Sequence, residues 1–474
     1  MSTSTAIRRT LSHVRQHFAG IGTPLRWALL VGTAVFGSAC SPDAPVQDAG
    51  QGRLSAGPYD AAPDTSQAPF RYDIEYPIIG YSKSATHNRV AALIERTEAG
   101  DLVLAARAPR GYLDSLLSAL EIDASSQMLV FSKTSLQADS ITSDSPRAIY
   151  FNDDTYVAWV MGTNALEIAT LDSELGPVFY TLAQPSGRDE GFERHNAQCL
   201  RCHDSLSMTG GGVPRFITGS GYTGRDGTIV AHEGWILTSD RTPLRSRWGG
   251  WYVTGFHGDQ VHLGNIAVRS VYELERLEEL RRGNLENLGG MLDTSAYLTN
   301  YSDIVALLVL EHQVRAQNAI VRVNFDARMA LAAAGLPADA EVDDLGALGV
   351  DIEPLVEALF MADAVSLTAP VRGTSGFAEQ FAARGPRSAD GRSLRDFDLQ
   401  TRLFRYRLSY VIYSQAFDAL PAGVRHGVYA RIADVLSGRD AAPAYAPLME
   451  DERTSIAQIL AETKPEFAAV AARE

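Results

Sequence analysis

Cys199-Leu200-Arg201-Cys202-His203 divides the chain into two unlike halves. Before it, apolar residues come in short runs of strand length; some way after it, they recur at helical spacing. The quintet also holds two of the three cysteines in 474 residues. Two cysteines three apart stand about one helical turn from each other, so both sulfurs can reach one edge of a planar ligand while the next side chain projects toward its centre. The Cys-x-x-Cys-His order is that of covalent c-type haem attachment. It makes Cys199 and Cys202 the thioether residues and His203 the proximal iron ligand, with one haem c per chain. Random placement of three Cys and ten His would yield it on the order of once in a few thousand such chains.

Two other chemistries use closely spaced cysteines. A zinc site needs four ligands, and no second Cys pair exists. A redox dithiol belongs at a strand-to-helix junction of a βαβ unit, and the polar text 191–198 shows no such pattern.

The third cysteine, Cys40, follows the apolar stretch 27–36 and Gly37-Ser38-Ala39. Residues 1–39 carry Arg8, Arg9, Arg15 and Arg26 and no acid, which reads as an export signal. Its apolar core is too short to span a bilayer. The small residues before Cys40 resemble a bacterial lipobox, although Gly37 replaces the usual Leu, so Cys40 is the expected lipidation site and ordinary signal cleavage the alternative. Removing the four arginines takes the formal charge from −15 to −19. So acidic a chain is a poor nucleic-acid ligand and would attract a basic redox partner, or simply stay soluble through its charge. The expected place is the periplasmic side of a bacterial envelope, with a lipid anchor to a membrane.

Residues 40–70 are rich in Ala, Pro, Asp, Gln, Ser and Gly and read as a disordered tether. The remaining ~400 residues suffice for two packed lobes. In 71–190 the runs Ala148-Ile-Tyr-Phe151, Tyr156-Val-Ala-Trp-Val160 and Val178-Phe-Tyr180, with the turn Asn152-Asp153-Asp154, predict a β-rich lobe containing one helix near 113–122. The segment 191–270 is the haem-binding stretch. Between 210 and 264 it holds 13 of the 40 glycines and three of the five tryptophans, which suggests loops folded closely around a large planar object. Residues 271–474 form a helical lobe, with amphipathic spacing over 272–282, 303–334, 352–367, 399–420, 424–436 and 451–462. The fold class is α+β.

Haem also needs partners for its propionates and its sixth iron position. The stretch 199–269 contains seven Arg and no Lys, and Arg245 and Arg247 beside Trp248 are the first propionate candidates, with local acid pairing as the other reading. Met208 is too close to His203 to reach the opposite face. His195 and His232 lie nearby in sequence. His257 and His262 flank the turn Gly258-Asp259 in an expected hairpin over 251–268, so both are candidate distal ligands. His312 has the strongest geometry: on a helix with Ser302 as its expected N-cap, it sits at the centre of a stripe formed by Tyr301, Val305, Leu308, Val309, Ala316, Ala319 and Ile320. A buried imidazole there needs a partner, either iron or a group of the core.

The quintet resembles the c-type cytochromes, and that likeness covers 199–203 only. More widely, Arg247-Trp-Gly-Gly-Trp-Tyr-Val-Thr-Gly255, His262-Leu-Gly-Asn265 and Ser302-Asp-Ile-Val-Ala-Leu-Leu-Val-Leu-Glu-His-Gln313 look like segments of large single-haem cytochrome c-like exported proteins of environmental bacteria. The resemblance implies haem binding and export and names no substrate. Electron transfer is the default for one haem c. A chain several times larger than a one-haem carrier needs also fits a peroxidase-like or oxidase-like enzyme with an open distal site, or a docking lobe for a partner oxidase. No catalytic residue is identifiable.

Overall fold

The computed structural model describes residues 74–185, 191–230, 234–269, 273, 283–340, 342, 345–440 and 442–473. The expected signal segment, the expected tether with Cys40, His232 and nearly all of the helix expected at 272–282 lie outside them. The described chain is mixed: an antiparallel sheet in the middle and helices in the C-terminal part.

The sheet is a six-stranded meander in sequence order: β1 Met128–Val130, β2 Arg147–Phe151, β3 Thr155–Trp159, β4 Ala165–Asp172, β5 Gly176–Ala183 and β6 Phe192–His195. The turn between β2 and β3 forms because Asn152 Oδ1 accepts from the backbone N–H of Asp154 and Thr155 at 3.2 and 2.9 Å, a side-chain mimic of a backbone turn. In β4 Leu166, Ile168 and Thr170 are buried while Ala165, Glu167 and Ala169 are half-buried, the two-residue period of a strand with one covered face. The expected helix near 113 is Leu113–Ala119, and a second one, Arg89–Glu98, precedes it.

The long helix Ile304–Ala333 runs past the turns at one end of the sheet, where Gln313 and Gln317 donate to the carbonyls of Asn152 and Asp153 and Asn324 to that of Ser173. Its N-cap is Asp303 rather than Ser302: the carboxylate accepts from Val305 N–H and Ala306 N–H, while Ser302 donates to the carbonyl of Tyr252 at 2.6 Å. Residues 304–314 are buried on every side, so this is a central helix and not the one-sided stripe that the spacing implied. At the turn between β4 and β5, Gly176 meets it so closely that a Cβ would stand 2.5 Å from Val321 Cγ1. A single buried apolar cluster runs from Ile79 to Val470.

Of the other expected helices, 424–436 and 451–462 lie within Ala422–Ser437 and Glu450–Thr463. The one at 352–367 is only Glu353–Leu359, because Met361 and Asp363 turn to positive φ. The stretch 399–420 is not one helix. Asp398 Oδ1 accepts from the N–H groups of Gln400, Thr401 and Arg402 and folds a turn, and Ser409 and Ser414 each cap a short helical turn, Tyr410–Tyr413 and Gln415–Asp418. Two short helices, Phe377–Ala383 and Pro465–Ala471, went unread.

In the glycine-rich middle, two of the glycines, Gly219 and Gly221, close on Trp235. Gly219–Gly221 pairs with Trp235–Leu237, and a Cβ on Gly219 would stand 2.0 Å from Trp235 Cζ2. The hairpin expected over 251–268 does not form a ladder among the described residues: Trp251, Thr254, Gly255 and Phe256 bridge Val130, Asp303, Leu285 and Arg372, Ala267–Val268 pairs with Thr223–Gly224, and the side chain of Asn265 ties the limbs by bonding N–H and C=O of Val253.

Candidate functional site

The edge strand β6 ends at His195, and after Asn196 the chain enters the helix Ala197–His203. One strand of a rigid sheet therefore delivers the quintet. Cys199 and Cys202, three apart on this helix, share a face. Burial pushes the Cys199 thiol up to about 12, with the negative fields of Glu167 and Cys202 adding to it. A reactive dithiol needs the opposite shift, so the environment disfavours redox exchange at Cys199.

His203 Nδ1 lies 2.7 Å from the carbonyl oxygen of Arg215. A carbonyl only accepts, so Nδ1 carries the proton and Nε2 keeps the lone pair. Burial pushes the imidazole down to about 4, the Arg215 carbonyl opposing, so the ring is neutral at physiological pH. The Arg215 N–H donates in turn to the His203 carbonyl at 2.9 Å, and the Phe179 ring packs 4.4 Å from the imidazole. Two cysteines on one helical face and a neutral imidazole oriented through Nδ1 satisfy what haem c asks of a protein. Among the described residues no three His, Cys, Asp or Glu side chains gather as a metal site. A haem asks for none, because the porphyrin supplies four of the iron's ligands.

The remaining expected residues divide sharply. His312 is fully buried at the centre of its helix, and both ring nitrogens are engaged: Nδ1 with Asp240 Oδ2 at 2.9 Å and Nε2 with Ser409 Oγ at 2.7 Å. Asp240 also pairs with Arg315 at 3.0 Å. Burial pushes the Asp240 carboxyl up, but the His312 and Arg315 contacts outweigh it and hold it below its ordinary range. His312 thus meets its need for partners inside the core, and no lone pair is left for iron unless one of these bonds breaks. The contact order Ser, His, Asp is that of a nucleophile relay, yet Ser409 is fully buried and its Oγ also accepts from Val411 N–H, which makes the group structural.

Arg247 is engaged inside the core. Its guanidinium is 2% exposed and turned inward, donating to Glu311 Oε2 at 2.9 Å and to the carbonyls of Asp240 and Thr242, so it offers nothing to a propionate. Arg245 lies exposed on a short helical turn. His257 and His262 do converge from one loop, with ring centroids 4.8 Å apart and Trp248 5.3 Å from His262. His262 Nδ1 accepts from Gly264 N–H at 3.0 Å, which puts the ring proton on Nε2 and makes that nitrogen a poor ligand. Burial lowers the pKa of His257. His195 bonds Thr181 at 2.8 Å, and Met208 is half-buried on the short helix Leu206–Thr209.

Arg215 was missed as a site residue. It stands twelve positions beyond His203 among seven arginines, and no local spacing singles it out. No helix among the described residues is long and apolar enough to cross a membrane. No protein family, curated protein or solved structure matches this chain.

Proposed function

We propose that this chain is an exported c-type haem protein that transfers electrons, with one haem held by Cys199 and Cys202 and its iron by His203. The supporting observation is the fixed tautomer of His203, neutral, with Nδ1–H given to Arg215 and Nε2 left for a metal. When bound, the haem supplies a one-electron couple at iron. The chain's own residues hold the ring at one edge, orient the imidazole and set the surrounding charge. The quintet helix has no buried residue, Arg201 is exposed and Leu206 is 59% exposed. That exposure supports an attachment edge near the surface, where a partner would exchange electrons over a short distance. The acidic surface selects a basic partner. Lipidation at Cys40 would keep the protein on a membrane facing the periplasm.

A haem enzyme with an accessible sixth position is the second reading. The internal bonds of His312 favour it, because they withdraw the leading distal candidate.

The test is expression in a host that matures haem c, membrane fractionation, and acid–acetone extraction. Wild type should retain a Soret band after extraction and travel with membranes, while Cys199→Ala, Cys202→Ala loses its haem. A wild type without covalent haem overturns the proposal. A low-spin ferric spectrum with no carbon monoxide binding after reduction supports the carrier; a high-spin protein that binds it readily supports the enzyme.

A further inference from the structure

A cleft that the haem reading does not use lies between the helix Leu113–Ala119, with the turn that follows it, and the helix Phe377–Ala383. Its volume is about 490 Å³. Leu117, Ile122, Phe151, Phe377 and Phe381 make it apolar, and the Phe151–Phe377 and Phe377–Phe381 ring centroids are each 5.6 Å apart. Bonds from one wall to the other hold it open. Ser375 Oγ donates to the Ser125 carbonyl at 2.9 Å, and the Gln380 amide, its nitrogen turned to Asp123, donates to both carboxylate oxygens at 2.6 and 2.8 Å.

Polar groups lining this cleft are incompletely answered. Asp123 accepts from Gln380 and from the Ser125 N–H at 2.7 Å, which are neutral donors, so its charge has no cationic partner among the described residues. Arg384, one helical turn beyond Gln380, supplies the opposite charge. Its acid, Asp153, is 3.8 Å away, too far for a hydrogen bond, and is already bonded by Arg395. The Arg395 guanidinium is buried between Phe381 and Tyr410, 4.6 and 4.3 Å from their ring centroids. One carboxylate therefore serves two guanidiniums, and the one that lines the cleft is loosely held. The Ser125 hydroxyl, on a residue 5% exposed, has no hydrogen-bond partner. Glu121 at the rim contributes little field, since Arg89 pairs with it at 2.8 Å.

We propose that this cleft binds a free α-amino acid with an apolar side chain. Its carboxylate pairs with Arg384, its ammonium with Asp123 and the Ser125 oxygen, and its side chain packs on the phenylalanines. A ligand with a single charge leaves Asp123 or Arg384 unanswered, and a charged side chain loses the apolar contact. The volume is that of an ordinary small-molecule site. The inference stands apart from the haem reading, because no residue of the cleft belongs to the quintet.

The test is isothermal titration of the purified protein with L-phenylalanine, 3-phenylpropionate, phenethylamine and L-glutamate. L-Phenylalanine should bind, each single-charge analogue should bind at least about tenfold more weakly, and L-glutamate should not bind. Arg384→Gln should weaken L-phenylalanine by a similar factor while phenethylamine binds no less tightly. Asp123→Asn should weaken L-phenylalanine while 3-phenylpropionate binds no less tightly. No binding of L-phenylalanine up to about 10 mM overturns the inference, as does a single-charge analogue that binds as tightly. Affinity for L-phenylalanine unchanged in both variants overturns it as well. If Asp123→Asn does not fold, the analogue series on wild type and on Arg384→Gln still decides. None of these outcomes depends on whether haem is bound.

Discussion

His312→Ala separates the two roles an imidazole can have at the centre of the long helix. The substitution removes one bond to an ionised carboxylate, Asp240, and one to the hydroxyl of Ser409. The first is worth about 1.5–3 kcal/mol and the second about 0.5–1.5 kcal/mol. A cavity in a site with no solvent access adds to this, while Asp240 keeps Arg315 and so avoids the full cost of a lone buried charge. The expected loss is about 3–5 kcal/mol, a large share of the roughly 5–15 kcal/mol that holds a typical domain together. Urea unfolding of the holoprotein followed by far-UV circular dichroism measures it. Ser409→Ala should lose only about 1 kcal/mol, providing a variant that folds comfortably. The ferric absorption spectrum of both folded variants should match wild type, because His312 engages no iron. A His312→Ala protein that changes spin state while losing under about 1 kcal/mol would refute the reasoning and return the imidazole to the haem.

Asp240→Asn removes a carboxylate that His312 and Arg315 hold below its ordinary range. The stabilisation it contributes is complete above the unfolded value of about 3.9 and is lost as pH falls through the lower folded value, so wild type should weaken more steeply than Asp240→Asn in urea midpoints measured from pH 5 down to 2.5; parallel curves would refute the pairing. Gly219→Ala drives a Cβ to 2.0 Å from Trp235 and should lower stability by about 1–3 kcal/mol, read as a drop in melting temperature; an unchanged melting temperature would contradict that packing.

Local chemistry was legible and long-range pairing was not. The quintet, the turn after β2, the strands β2, β3 and β5, and three of the C-terminal helices follow from residues a few positions apart. Strand β4 was missed because Ala and Thr dilute its alternation, although Glu167 marks its open face. The stretch 399–420 has helical spacing, but an Asp and two Ser compete for its backbone, and the side chains won. His312 was correctly set at the middle of a buried face; its partners stand 72 and 97 positions away and could not be named. The partner of Arg247 was equally out of reach of the sequence, since Glu311 meets it across 64 positions.

Arg247 and Arg215 occupy settings that their sequence context does not distinguish. Arg247 and Arg215 are equally anonymous in sequence, both within the haem stretch and both withdrawn from solvent to some degree. Every donor group of Arg247 is directed at an acceptor of the core: a carboxylate and two carbonyls. An added anion there would have to displace Glu311 from a site 2% exposed, at the cost of leaving a carboxylate buried alone. Arg215 differs: its backbone is committed to His203, Asn318 fixes its neighbour, and its Nε is buried without a hydrogen-bond partner. The long helix therefore has two roles along its length. Its first turns hold a closed polar network around His312, and further along Asn318 staples Phe216, the residue after the His203 partner Arg215.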